Sequence, residues 1–144
     1  SSRMDSSFTA APLAAILLLD DSPAHRTLIK RSIRKAGVDN PLVESATLEE
    51  ARHALFGRNC LPIALALLDL NLGQERSSSL IPEIRRSDIY CDLPVVVLST
   101  SALETDIRES YAAGADCYMI KNEDNAAFSQ EIAKALAFYL QPRR

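Results

Sequence analysis

Ile16-Leu17-Leu18-Leu19-Asp20-Asp21-Ser22-Pro23, residues 16–23, joins the end of a strand to the start of a helix with almost nothing between. Four aliphatic residues in a row suit a strand buried on both faces. Ser22 is a favoured N-cap, and Pro23 suits the first helical position, where its missing N–H is no loss. Leu28, Ile29, Ile33 and Ala36 follow at helical spacing, and Gly37 ends the run. A strand feeding directly into a helix is one βα unit, and the rest of the chain repeats it.

A second strand is expected over 41–45, and Thr47-Leu48-Glu49-Glu50 reads as a capping box that opens a helix to about residue 57. The third strand, 64–69, is almost wholly apolar, as a sheet covered by helices on both faces requires. Asn71 to Ser79 is polar and reads as a loop in which the triple serine 77–79 caps a helix over about 79–88. Val95-Val96-Val97-Leu98 supply a fourth, β-branched strand. A helix over about 103–113 stops at Gly114, and a fifth strand is expected over about 116–120. The last helix, about 125–140, carries Phe128, Ile132, Leu136 and Tyr139 at helical spacing. Five strands alternating with five helices predict an α/β fold with a parallel sheet.

At 144 residues the chain suits one domain, expected over 13–144 behind a Ser- and Ala-rich arm at 1–12. Its 47% apolar and 24% charged content is ordinary for a globular protein. Sixteen basic against 19 acidic residues, a net charge of −3 without a long basic run, argues against direct nucleic-acid binding. The apolar stretch 10–19 is broken by Pro12, runs into two acids and is too short to cross a bilayer. Cys60, Cys91 and Cys117 are widely spaced, so neither a disulfide framework nor a zinc site is expected, and a cytoplasmic location is.

In open α/β sheets, ligands bind at the carboxyl ends of the strands. Asp20, Asp21, Asp69, Ser99 and Lys121 all fall at predicted strand ends. Singly each has a plain explanation as a turn, cap or surface residue, but five at one edge make coincidence a poor account. Three gathered carboxylates repel one another unless a proton or a hard cation sits among them. Mg2+ suits such a set, with Asp20, Asp21, Asp69 and the backbone carbonyl of Asn71 as oxygen donors. A carboxylate beside such a cation can attack a reactive phosphoryl donor, with the Lys121 ammonium and the Ser99 hydroxyl stabilising the transferred oxygens.

The spacing adds a resemblance. LLLDDSP holds the acid pair, LLDLN holds Asp69, PVVVLST places Ser99 30 residues later, and Lys121 lies another 22 on with Tyr118 just before it. Together these resemble the receiver domain of two-component response regulators, over about residues 14–140. The resemblance implies a flavodoxin-like (βα)5 fold, a five-stranded parallel sheet in order 2-1-3-4-5 with helices on both faces. It implies that Asp69 accepts a phosphoryl group from a histidine kinase, that Asp20 and Asp21 bind Mg2+, and that Lys121 contacts the phosphoryl group. It makes Ser99 the switch hydroxyl and Tyr118 an aromatic that turns inward on phosphorylation. The positions expected to tune hydrolysis are Asn71 and Ser101. The texture VVLSTS, ETDI and SYAAGADCY is similar to single-domain receivers that partner bacterial phytochrome kinases.

Two departures stand out. Asn122 follows Lys121 where the family has a cis proline, so a trans bond is expected, because a non-proline cis bond costs about 3–4 kcal/mol. The loop after Asp69 lacks the usual proline, and its glycine is displaced to Gly73. These features keep a rival reading in view, a receiver-shaped docking or dimerisation module that works without phosphorylation. A haloacid dehalogenase-type phosphatase fits worse, since Asp20-Asp21-Ser22 lacks the acid-x-acid pattern. His25 and His53 read as surface or packing residues, although His25, a few positions beyond the acid pair, could approach the site, and Cys117 reads as core filler. The apolar end of the last helix suggests a homodimer through that region. That helix runs nearly to the last residue, so the signal is expected to pass by protein contact unless the sequence is a piece of a larger regulator.

Overall fold

All five residues of strand β1, Ala15–Leu19, are buried. The reason is visible in the computed structural model, which describes residues 13–121 and 124–140. Alternate residues of each inner strand feed two separate cores. On one face Leu17, Leu19, Ala66, Leu68, Val95 and Val97 pack with Leu48, Ala51 and Leu55 of helix α2 (Leu48–Phe56) and Ile81 and Ile84 of α3 (Ile81–Arg86). On the other, Ile16, Leu18, Leu65, Leu67, Val96 and Leu98 pack with Ile29 and Ile33 of α1 (Pro23–Lys35) and Phe128, Ile132 and Leu136 of α5 (Asn125–Tyr139).

The sheet order is β2-β1-β3-β6-β7, with β2 at Leu42–Ser45, β3 at Ile63–Asp69, β6 at Val95–Ser99 and β7 at Cys117–Ile120. Every pairing in it is parallel. Counting these five strands alone, the order is the expected 2-1-3-4-5, and the predicted strands agree to within a residue at each end. Helix α4 spans Glu104–Ala113 and ends at Gly114, whose φ of 119° is a conformation glycine adopts without strain. Ser22 caps α1 by accepting from the His25 N–H at 3.2 Å, as its sequence predicts.

Three expectations need correction. The segment after Asp69 is not a plain loop but a small antiparallel hairpin, β4 (Asn71–Leu72) and β5 (Glu75–Arg76), followed by a 3-10 turn at Ser77–Ser79. Gly73 stands at the first turn position with φ +64°, and Gln74 has no positive φ, the type II′ pattern that suits a two-residue hairpin. The displaced glycine therefore has its own structural use. The helix expected over 79–88 shrinks to α3, and no serine caps it: its N-cap is Leu80, while Ser77 is buried with its hydroxyl unpaired. At α2 the Thr47 hydroxyl accepts from Glu50 N–H at 3.1 Å, but the Glu50 carboxylate reaches past the cap to Ala46 N–H at 2.7 Å. The box is half formed and extended by one residue. The Lys121–Asn122 bond and the arm at 1–12 lie outside the described residues.

Candidate functional site

Strand register assembles the site. Leu19 of β1 pairs with Leu68 of β3, so the residues that follow, Asp20 and Asp69, stand side by side. Asp69 is level with Leu98 of β6, one step before Ser99, and Ser99 is level with Ile120 of β7, one step before Lys121. The Lys121 N–H donates to the Ser99 carbonyl at 2.7 Å, extending that register by one more bond. Because β1 and β3 send their following helices to opposite faces, the crevice between their carboxyl ends is where such a fold binds ligands.

Within that crevice one ligand atom from each of Asp20, Asp21 and Asp69 lies within 4.8 Å of the others. Asp20 is fully buried and Asp21 is exposed, so the cluster faces inward on one side and solvent on the other. The Lys121 ammonium bridges the set, 2.8 Å from Asp20 Oδ2 and 3.3 Å from Asp69 Oδ1. One cation does not balance three anions. Burial, with the negative charges of Asp20 and Asp21, pushes the Asp69 carboxyl up to about 6, against the opposing pull of Lys121. The donor set is all hard oxygen, and its excess negative charge is what a divalent cation would relieve. The residues therefore fit Mg2+.

The backbone frees a fourth donor. Leu70 carbonyl accepts from Ser77 N–H at 2.9 Å, so alternation along the hairpin makes Asn71 and Arg76 a non-hydrogen-bonded pair. The Asn71 carbonyl thus faces away from the ladder. Ser99 is buried, and its hydroxyl accepts from Ser101 N–H at 3.0 Å. Tyr118 is half-buried and packs against the core, and its hydroxyl donates to the Ser101 carbonyl at 2.8 Å.

Two further residues belong to the site. His25, read from sequence as a surface or packing residue near enough to the acid pair to approach the site, has Nδ1 3.0 Å from the Lys121 ammonium. It lies one helical turn past the acid pair, and that spacing was its only signal. Arg26 donates to the Asp20 backbone carbonyl at 2.6 Å and to Glu44 at 3.1 Å, holding the strand end from outside. His53 is exposed on α2 as expected, and Cys117 is half-buried against the α5-side core.

The family profile described as response regulator receiver domain matches residues 16–133. The chain belongs to the response regulator receiver family. As a CheY-like receiver it is a component of two-component signalling, a family of phosphoacceptors rather than classical enzymes. The response regulator Rcp1 of Synechocystis is 28% identical over 134 residues, covering 90% of this chain and 91% of that protein. A probable methanogenesis regulatory protein, FilR2 of Methanothrix harundinacea, is 34% identical over 110 residues, 74% of this chain and 70% of its own. Among solved structures, the phosphorylated cyanobacterial phytochrome response regulator RcpA superposes with a TM-score of 0.80 at 29% identity, covering 92% of this receiver and 97% of that chain. The Mn2+-bound form of Rcp1 gives 0.78 at 27% identity, covering 91% and 97%. The acid cluster lies within the matched segment. Among the described residues of the receiver, no helix is long and apolar enough to cross a membrane.

Proposed function

We propose that Asp69 accepts a phosphoryl group from the phosphohistidine of a histidine kinase. The observation that carries this is the Asp69 carboxylate set beside Asp20, Asp21 and the Lys121 ammonium at the sheet's carboxyl edge. A carboxylate oxygen of Asp69 attacks phosphorus, a P–O bond forms, the P–N bond breaks, and its electron pair leaves on the imidazole. Mg2+, held by Asp20, Asp21, Asp69 and the Asn71 carbonyl, supplies charge neutralisation of the carboxylates and phosphoryl oxygens when bound. Lys121 stays alongside Asp69 and pairs with a phosphoryl oxygen, while Ser99, now an acceptor for Ser101, turns to donate to another. Ser101 then loses its tie to Ser99, and the loop before α4 shifts with it. Because Tyr118 already rests on the Ser101 carbonyl, the tyrosine follows that loop rather than swinging in from solvent.

The likeness to the cyanobacterial phytochrome response regulator RcpA supports a phytochrome-type histidine kinase as donor, and the three widely spaced cysteines support a cytoplasmic setting. Phe138 is 69% exposed and stands edge-on to Tyr139, which supports a homodimer through the α5 region, testable by sedimentation. The main test is to treat the protein with a small-molecule phosphodonor and Mg2+ and weigh it. A gain of one phosphoryl group, absent from Asp69→Asn, is expected; no gain, or a gain that survives the substitution, defeats the proposal. Hydrolysis of the acyl phosphate should depend on Asn71 and Ser101, neither of which can act as a carboxylate base. An unchanged decay in both Asn71→Ala and Ser101→Ala refutes that part.

A further inference from the structure

One layer out from the acid cluster, every nitrogen of the Arg76 guanidinium has a partner. Nη1 donates to Asn71 Oδ1 at 2.9 Å, Nη2 to Asp106 Oδ1 at 2.8 Å and Nε to Glu109 Oε2 at 3.0 Å. The first contact is the cross-strand neighbour that a non-hydrogen-bonded pair brings close. The other two lie on α4. Asp106 offers its second oxygen to the Ser101 hydroxyl at 2.6 Å, and Glu109 also accepts from Ser78 at 2.6 Å. Ser101 in turn donates its N–H to Ser99, so the path leaves the site through Asn71 and re-enters it through Ser99.

Helix α4 needs such a hold. Its one buried residue is Ser110, its N-cap Leu103 is exposed and makes no side-chain cap bond, and Tyr111 is exposed as well. A helix with so little apolar burial sits at the low-stability end of a fold. Isolated surface ion pairs contribute little, but a guanidinium engaging three acceptors at once is the geometry in which they matter.

We propose that Arg76 is a positioning residue that clamps α4 and the loop before it to the phosphoacceptor hairpin, so that a change at Asp69 is transmitted to α4 through Asn71 and Ser101. The use of the clamp rests on the phosphorylation reading; its presence in the untreated protein does not. Phosphoryl capture by Ser99 and cation capture by the Asn71 carbonyl act on the two ends of the same chain of bonds. The clamp then yields as a unit rather than contact by contact.

Hydrogen–deuterium exchange on the untreated, metal-free protein tests it. Arg76→Gln is expected to speed amide exchange across residues 101–110 by about tenfold or more while α1 and α5 keep their protection, which also shows that the variant is folded. Asp106→Asn should do the same, and the double variant should add little, since both break one clamp. Arg76→Lys, which keeps the charge but not the three-way reach, should restore the slow exchange only in part. Unchanged exchange over 101–110 in Arg76→Gln, or accelerations that multiply in the double variant, overturns the clamp. Beryllofluoride with Mg2+ then probes transmission. It should alter α4 exchange in the parent protein and much less in Arg76→Gln; an equal response in both overturns the proposal. A parent protein that takes no phosphoryl group refutes the phosphorylation reading alone, because the metal-free exchange data judge the clamp independently.

Discussion

Replacing Asp69 with Asn should stabilise the metal-free protein, although it removes the proposed phosphoacceptor. Burial and two neighbouring carboxylates raise the Asp69 carboxyl from 3.8 to about 6. At about 1.4 kcal/mol per pH unit, that interval is worth about 3 kcal/mol against the ionised folded state. Solvent reaches the rim of the crevice, and Lys121 loses a partner when the charge goes, so about 1–2 kcal/mol should survive. For a chain of this size that is a rise in Tm of about 3–6 °C. The sign follows from proton binding. Between 3.8 and about 6 the folded protein holds a proton that the unfolded chain has released, so wild-type stability falls as pH rises through that window. The Asn variant has no such titration. Its advantage should be full above the window, at about pH 7.5, and gone by about pH 3.5, below it. Thermal unfolding followed by circular dichroism, with chelator present, reads both values. Added Mg2+ should narrow or reverse the gap, because the wild type keeps the better cation site. A variant no more stable than wild type at about pH 7.5, or an advantage that persists undiminished below the window, refutes the claim that crowded, buried charge strains this site.

Lys121→Ala leaves the buried Asp20 carboxylate without its cation and should cost about 3 kcal/mol in chelator, part of which Mg2+ restores; thermal unfolding with and without Mg2+ checks it, and no Mg2+ rescue counts against the shared site. Gly73→Ala forces a Cβ onto a φ of +64° and should lower stability by about 1–2 kcal/mol in urea unfolding. Tyr90→Phe removes the hydroxyl that accepts from the buried Ile63 N–H at 3.0 Å, and should cost about 1–3 kcal/mol by the same assay.

The βα alternation was readable along the chain because strands buried on both faces leave unbroken apolar runs such as Ala64–Leu68, and caps such as Ser22-Pro23 mark the helix starts. The hairpin at Asn71–Arg76 was not. Two-residue strands are too short for alternation to show, and its turn depends on a single glycine set in a polar stretch. The Glu50 contact with Ala46 was misjudged by one residue for a similar reason, since capping patterns name the residue types but not the rotamer that a carboxylate adopts.

The candidate site divides along the same line. Asp20, Asp69, Ser99 and Lys121 end four of the five predicted strands, and a parallel sheet sends every such end to one edge, so local pattern alone places them together. Side chains that meet across helix faces carry no such regularity. His25 reaches Lys121, 96 residues away, and Arg76 reaches Asp106 and Glu109, 30 and 33 residues away, through the packing of α1 and α4 on the sheet. Tyr118, on β7, is tied to the carbonyl of Ser101 in the loop before α4, 17 residues away. Repeating backbone geometry can be inferred from neighbours in the chain. Contacts fixed by helix docking and rotamer choice depend on the whole core at once, so they become visible only when the chain is folded.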